Sequence, residues 1–239
     1  AGTNHKSAFN AVQGISTADK SRFMRKHWEV QGNDRFKSIT KGGSNAWIVP
    51  HITNTVEWNN DGVEVRRSSP EIRTRNEKFY GKKGLTWTYI KDTGRRFGYH
   101  PGGLFSVNGL MLFPKGETSL WTTMAVLNSD LYHSLFLSQT IERNWNPGEV
   151  GAVPWIEELE KQNELSESSK EQYDLTLGER ASDPTSPYYV GAELALRDDR
   201  CKFFYEITHP ASLLEAIKEA VTSISTSQSI STSASNVQK

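Results

Sequence analysis

Seven short runs rich in β-branched and aromatic residues are crowded between positions 46 and 113, each closed off by a turn. They are AWIVPHI (46–52), TVEW (55–58), VEVR (63–66), LTWTYI (85–90), RFGY (96–99), LFSV (104–107) and LMLF (110–113). Asn60-Asp61-Gly62, the stretch from Gly81 to Gly84, Asp92-Thr93-Gly94 and Pro101-Gly102-Gly103 separate them. A run of four to seven such residues cannot satisfy its backbone or bury its side chains alone, so the runs must pair. The pattern predicts an α+β fold built on a twisted, mostly antiparallel sheet with flanking helices.

Helical signals lie on both sides of this region. In AFNAVQGISTADKSRFMRKHWEV (8–30), Gly14 reads as a turn, and Thr17 or Asp19 as the N-cap of a helix whose apolar face is Phe23, Met24 and Trp28. Between 119 and 140, Leu120, Met124, Leu127, Leu131 and Leu135 fall on one helical stripe, which Asn128 and Ser129 divide in two, one of them capping the second half. A third, acidic helix is expected over 155–173. A fourth should follow Thr208-His209-Pro210, with Pro210 suited to its first turn and Leu213, Leu214, Ile217, Ala220, Val221 and Ile224 on its apolar face. The last fifteen residues are almost entirely small and polar and should be disordered. The reading is therefore a domain over 1–155, a helical appendage or spacer over 156–224 and a tail over 225–239.

The formal net charge of +0 conceals a segregation. Residues 1–100 hold 18 Lys and Arg against 9 Asp and Glu, and residues 101–239 hold 10 against 19. An imbalance of that size suggests a polyanion as partner for the first part. No apolar run approaches the roughly 18–20 residues that span a bilayer. The opening AGTNHKSAFN lacks the apolar stretch of a signal peptide. Cys201 stands alone, so no internal disulfide forms, and a reducing, cytoplasmic setting is expected.

Catalytic signatures are missing. A methyltransferase needs a glycine-rich loop after a strand and an Asn/Asp-Pro-Pro-aromatic loop to accept the target amine; Asn146-Pro147-Gly148 lacks both the second proline and the aromatic. Gly81-Lys82-Lys83-Gly84 has neither the spacing nor the Ser/Thr of a phosphate-binding loop. Glu157, Glu158, Glu160 and Lys161 suggest a nuclease cluster, but a solvated helical face explains them more simply. No metal site is expected, and no catalysis by this chain alone. The functional candidate is instead the basic and aromatic stretch from Arg66 to Tyr99. Lys41, Arg66, Arg67, Arg73, Arg75, Lys78, Lys82, Lys83, Arg95 and Arg96 are the candidate contacts to phosphates and base edges. Trp87 and Phe97, interleaved among them, read as core.

Several segments also resemble a known family in order. GISTADKSRFMRKHWEV (14–30) resembles the GLxTGDNxRFxRxxWEV signature of large adenine-specific DNA methyltransferases, the type IIG restriction-modification and BREX phage-defence enzymes. KGG (41–43), VEWNNDGVEV (56–65), FYGKKGLTWTYI (79–90), LFSVNGLMLFP (104–114), AVLNSDLYHSLF (125–136) and GEVGAVPW (148–155) then follow in family order. Departures are Ala18, where the family usually has Gly, and Lys20, where it usually has Asn. The resemblance covers about residues 9–160. It implies a target-recognition domain that follows a catalytic domain and grips duplex DNA. In such enzymes the catalytic domain binds S-adenosylmethionine and methylates a flipped adenine; this chain would bind no cofactor, and its partners would be duplex DNA and a catalytic domain in cis or in trans. The alternatives are a split subunit or remnant that scaffolds a separate methyltransferase chain, and a complete enzyme with activity in residues 160–239.

Overall fold

A computed structural model describes residues 7–189, except positions 18, 31, 43–47, 91–95, 141–143, 157, 160, 161 and 182. The fold is α+β, and its strands form two sheets. β1 (Phe9–Val12), β5 (Gly84–Thr88), β6 (Gly98–His100) and β8 (Gly109–Pro114) make an antiparallel sheet in the order β1-β8-β5-β6. β2 (Met24–Lys26), β3 (Phe36–Thr40), β4 (Asn54–Glu57) and β7 (Leu104–Phe105) make the second in the order β2-β4-β3-β7, its last pair parallel.

The central strand β8 explains how the layers assemble. Side chains alternate across a strand, so GLMLFP sends Leu110 and Leu112 to one face and Met111 and Phe113 to the other. All four are buried. Leu110 and Leu112 pack with Leu85, Trp87, Phe97 and Trp145 beneath the helices, while Met111 and Phe113 join Phe79 and Phe105 on the opposite face. A continuous apolar run is what a strand covered on both faces requires. The second sheet buries Ile39, Val56 and Leu104 against Ile15, Phe23, Trp58, Val65 and Ile72.

A helical layer covers the first sheet. Ser119 caps α3 (Leu120–Leu127) by accepting from the Trp121 amide, and Ser129 caps α4 (Asp130–Gln139) by accepting from Tyr132. The expected break at Asn128-Ser129 is present, but it turns the buried stripe. Met124 and Leu127 lie inside, whereas Leu131 is 61% exposed and Tyr132 and Phe136 replace it in the core. α5 (Pro147–Gly151) and α6 (Asn163–Ala181) complete the layer. The acidic helix thus starts later than 155. Residues 154–156 are outside helix, and Trp155 lies edge-on to Phe9 at 5.0 Å. α6 packs its Tyr173 on Tyr99 and Trp121.

Two further expectations are corrected. VEVR forms the helix α2 (Val63–Ser68) instead of a strand. Both edges of the preceding strand β4 are already occupied by β2 and β3, and Asn60, Asp61 and Gly62 all take positive φ, so the chain enters Val63 already turned. Alternation at two positions fits either structure, and β4, the strand just before, has no open edge to pair. Likewise Phe23, Met24 and Trp28 share no helix: Asp19 caps the four-residue α1 (Lys20–Phe23), Met24 begins β2, and Trp28 is 48% exposed. In AWIVPHI the described pairing is one bridge, from Ile48 to Gly98. The helix expected after Pro210 and the tail lie outside the described residues. Among those described, no helix is long and apolar enough to cross a membrane.

The buried amide of Asn128 joins the helices to the sheet. Its Oδ1 accepts from the Phe97 amide at 3.2 Å and its Nδ2 donates to the Phe97 carbonyl at 2.9 Å. Asn128→Leu would leave the Phe97 amide unmet and its carbonyl with the Ile48 amide alone, so a loss of about 1–3 kcal/mol in urea denaturation is expected. Asn128→Asp, which keeps the acceptor alone, should not restore it.

His100 makes stability depend on pH. It is fully buried, its Nδ1 accepts from the Gly102 amide at 3.1 Å, and burial pushes its pKa down to about 4. The folded state therefore favours the neutral ring, and the unfolded chain binds the extra proton as pH falls below about 6.5. Stability should be full above that value and fall by about 3 kcal/mol as pH approaches 4. Urea titrations at pH 7.5 and 4.5 measure the difference, and His100→Gln should flatten it.

Candidate nucleic-acid interface

The segment from Trp58 to Lys83 is anchored by side chains that point inward. Gly62 (φ 75°) is pressed against the Trp58 ring, where a Cβ would lie 2.6 Å away. Only a residue without Cβ closes this turn. Val65, Ile72 and Phe79 are buried, and Phe79 stacks on Phe113 with centroids 4.6 Å apart. Tyr80 meets Trp58 and Phe105 edge-on, and its hydroxyl donates to the Arg75 carbonyl at 2.9 Å. Burial, and then Glu77, push that phenol above its ordinary range, so it stays a neutral donor.

The chain between these anchors is tied to residues 13–16. Ser16 and Arg73 exchange backbone hydrogen bonds at 2.9 and 3.3 Å. The Asn76 amide donates to the Gln13 carbonyl at 2.8 Å, and Arg75 Nη1 donates to Gln13 Oε1 at 3.0 Å. A long connection thereby becomes a fixed ledge between the sheets.

Most of the sequence-derived candidates emerge on this ledge. Arg67, Arg73, Arg75, Lys78, Lys82 and Lys83 are exposed. Lys78 and Lys82 place their ammonium groups 5.2 and 5.6 Å from the Phe79 ring centroid, an exposed cation–π contact worth about 0.5–1 kcal/mol. Arg66 is held more firmly, paired with Glu77 at 3.0 Å and lying 5.3 Å from the Trp58 centroid. Its charge is partly spent on the ledge itself.

Two candidates lie elsewhere, and a third is not among the described residues. Arg96 is 5% exposed, with its guanidinium 4.0 Å from the Trp145 centroid, so it belongs to the core and not to this surface. Arg95 is outside the described residues. Lys41 stands across Ser16 and Thr17 in a cleft between the two sheets, lined also by Lys20 and Asn108. Burial, and then repulsion from Lys20 and Lys26, hold its ammonium below the ordinary lysine range. Sequence reasoning missed Lys20 and Lys26; the sole hint was Lys20 standing where the family usually has Asn.

Trp87 and Phe97 are core residues, 2% and 0% exposed. Glu158 is exposed in a short turn before α6, while Glu157, Glu160 and Lys161 are outside the described residues. Among the described residues, no three His, Cys, Asp or Glu side chains come close enough to hold a metal ion.

No family model matches the chain. It is similar to the adenine-specific methyltransferase BrxX of Escherichia coli O9:H4 (strain HS), with 29% identity over 182 residues. The match takes in 70% of this chain but 14% of the relative, so the chain spans about one seventh of that protein. The relationship to an adenine-specific methyltransferase agrees with the resemblance read from the sequence.

Proposed function

We propose that this chain is the duplex-DNA target-recognition part of an S-adenosylmethionine-dependent, adenine-specific DNA methyltransferase of the phage-defence type, with methyl transfer carried out by a catalytic domain in cis or in trans. The observation that carries the reading is the division of labour on the ledge. Trp58, Val65, Ile72 and Phe79 turn inward and fix the backbone, while Arg67, Arg73, Arg75, Lys78, Lys82 and Lys83 turn outward. Cations on a rigid support are suited to the phosphate contacts that set a protein's register on a duplex. Arginine forks among them can read guanine edges, each worth about 1–3 kcal/mol of discrimination.

S-adenosylmethionine does not suit the two clefts between the sheets and between α3 and α6. Its sulfonium carries positive charge, and the cleft between the sheets is lined by lysines; the cleft between α3 and α6 is lined by Ile48, Met124, Leu165 and Gln172, with no carboxylate among the described residues for the ribose hydroxyls. No step is assigned to it in this chain.

Fluorescence anisotropy with labelled duplexes over a salt series tests the reading. Binding should weaken steeply with salt, by close to one log unit of affinity per log unit of salt for each phosphate engaged. Absence of binding at low salt, or indifference to salt, would sink it. Transfer of a labelled methyl group to DNA by the chain alone would overturn the assignment of chemistry to another domain.

A further inference from the structure

Three segments far apart in sequence meet where the two sheets touch. Residues 15–17, the end of β3 at Thr40, and the turn 106–108 are joined by backbone bonds: Ile15 N to Phe105 O at 2.8 Å, Val107 N to Ile15 O at 3.1 Å, and Ser106 N to Thr40 O at 2.9 Å. They enclose a cleft of about 130 Å³ with an apolar floor of Ile15 and Ile39 and a polar rim of Ser16, Lys20, Lys41 and Asn108.

The charge in this cleft is uncompensated. Lys20 and Lys41 line it, and Lys26 stands close enough for its charge to act on Lys41. Lys26 is itself held by a 3.3 Å bond to Thr53 Oγ1 and lies over Trp28. No carboxylate lines the cleft among the described residues. The nearby Asp19 is committed to the Ser21 hydroxyl at 2.7 Å and the Arg22 amide at 3.0 Å. Keeping like charges together around partly buried space costs free energy unless an anion offsets it.

We propose that this cleft is an anion site that seats one phosphate of the DNA backbone, with the Lys20 and Lys41 ammonium groups as its donors. Lysine serves here as a compact point charge with three rotatable donors, a form in which it commonly binds phosphate. That the phosphate belongs to DNA rests on the function proposed above. Ser16, on the cleft's rim, is the residue whose backbone pairs with Arg73 of the ledge, so one bound duplex can reach both.

Lysine acetylation footprinting read by mass spectrometry tests the site on the intact chain. The probes are a duplex of mixed sequence and, separately, inorganic phosphate. Lys170, paired with Asp174 on α6, is the internal reference. With duplex bound, Lys20 and Lys41 should be protected several-fold and Lys170 unchanged, and Lys20→Gln with Lys41→Gln, which together remove one phosphate contact, should lower the salt slope of binding by about one. If duplex binds while Lys20 and Lys41 react as in the free protein, the cleft proposal fails and the recognition reading stands. If duplex does not bind, the recognition reading fails, and phosphate alone decides the cleft. Protection by phosphate then keeps an anion site of other origin, and none overturns it.

Discussion

Gly14→Ala should cost the fold about 4 kcal/mol, the largest stability loss expected from any single methyl group in the described residues. A Cβ at this position would lie 1.8 Å from the Phe105 carbonyl oxygen, the atom that accepts from the neighbouring Ile15 amide. Backbone cannot yield as a flexible side chain does, so the two segments must part, and the bonds that join Gly14 and Ile15 to residues 105–107 are lost with them. The contrast is Gly178→Ala on α6, where the new Cβ meets nothing within 4 Å. There the alanine should stabilise the helix by about 0.5–1 kcal/mol. Urea denaturation of both variants measures the difference. A Gly14→Ala protein as stable as the parent would mean that the two segments do not approach as closely as described.

For binding, the largest effect should come from removing three exposed cations together. Arg67, Lys82 and Lys83 are exposed, and none of them anchors the ledge as Arg66 does. Changing all three to Gln should reduce the slope of log affinity against log salt by nearly three and weaken duplex binding roughly a hundredfold at low salt. Stability should stay within about 0.5 kcal/mol, because the substitutions leave the buried anchors intact. Anisotropy titrations beside a thermal melt separate the two quantities. An unchanged slope in a folded variant would remove the ledge from the proposed contact surface.

The strands were legible where chemistry was one-sided. LMLF was legible as a strand from its place among turn-bounded runs, though its cover on both faces was not, and Ser129 stood where the second helix needed a cap. VEVR was misread because two valines spaced by two satisfy a strand or a single helical turn; the deciding fact, that β4 had no free edge, is a property of the assembled sheet. The split into two sheets was invisible for the same reason, since it depends on β1 pairing with a strand about a hundred residues later. Within the basic stretch, composition could not distinguish Arg96 from its neighbours, because Trp145, the ring it covers, lies far along the chain. Lys20 and Lys26 escaped notice because they meet Lys41 only after β2, β4 and β3 have aligned.

The strand order β1-β8-β5-β6 bears on how such a unit travels between proteins. β1 cannot pair until β8 exists, so the first sheet closes late, and folding must bring together residues at opposite ends of the stretch. A cut between them that separates paired strands exposes new backbone edges to aggregation. Yet the two ends of the stretch are neighbours: the Ser7 hydroxyl donates to the Gly151 carbonyl, and Gly151 rests against Ala11. A segment that enters and leaves at one place can be lifted out or inserted whole with little disturbance to its host. On the proposed function, exchange of specificity should therefore fail when the ledge alone is transplanted, and succeed when the whole stretch moves together with α6, whose Tyr173 packs on Tyr99 and Trp121.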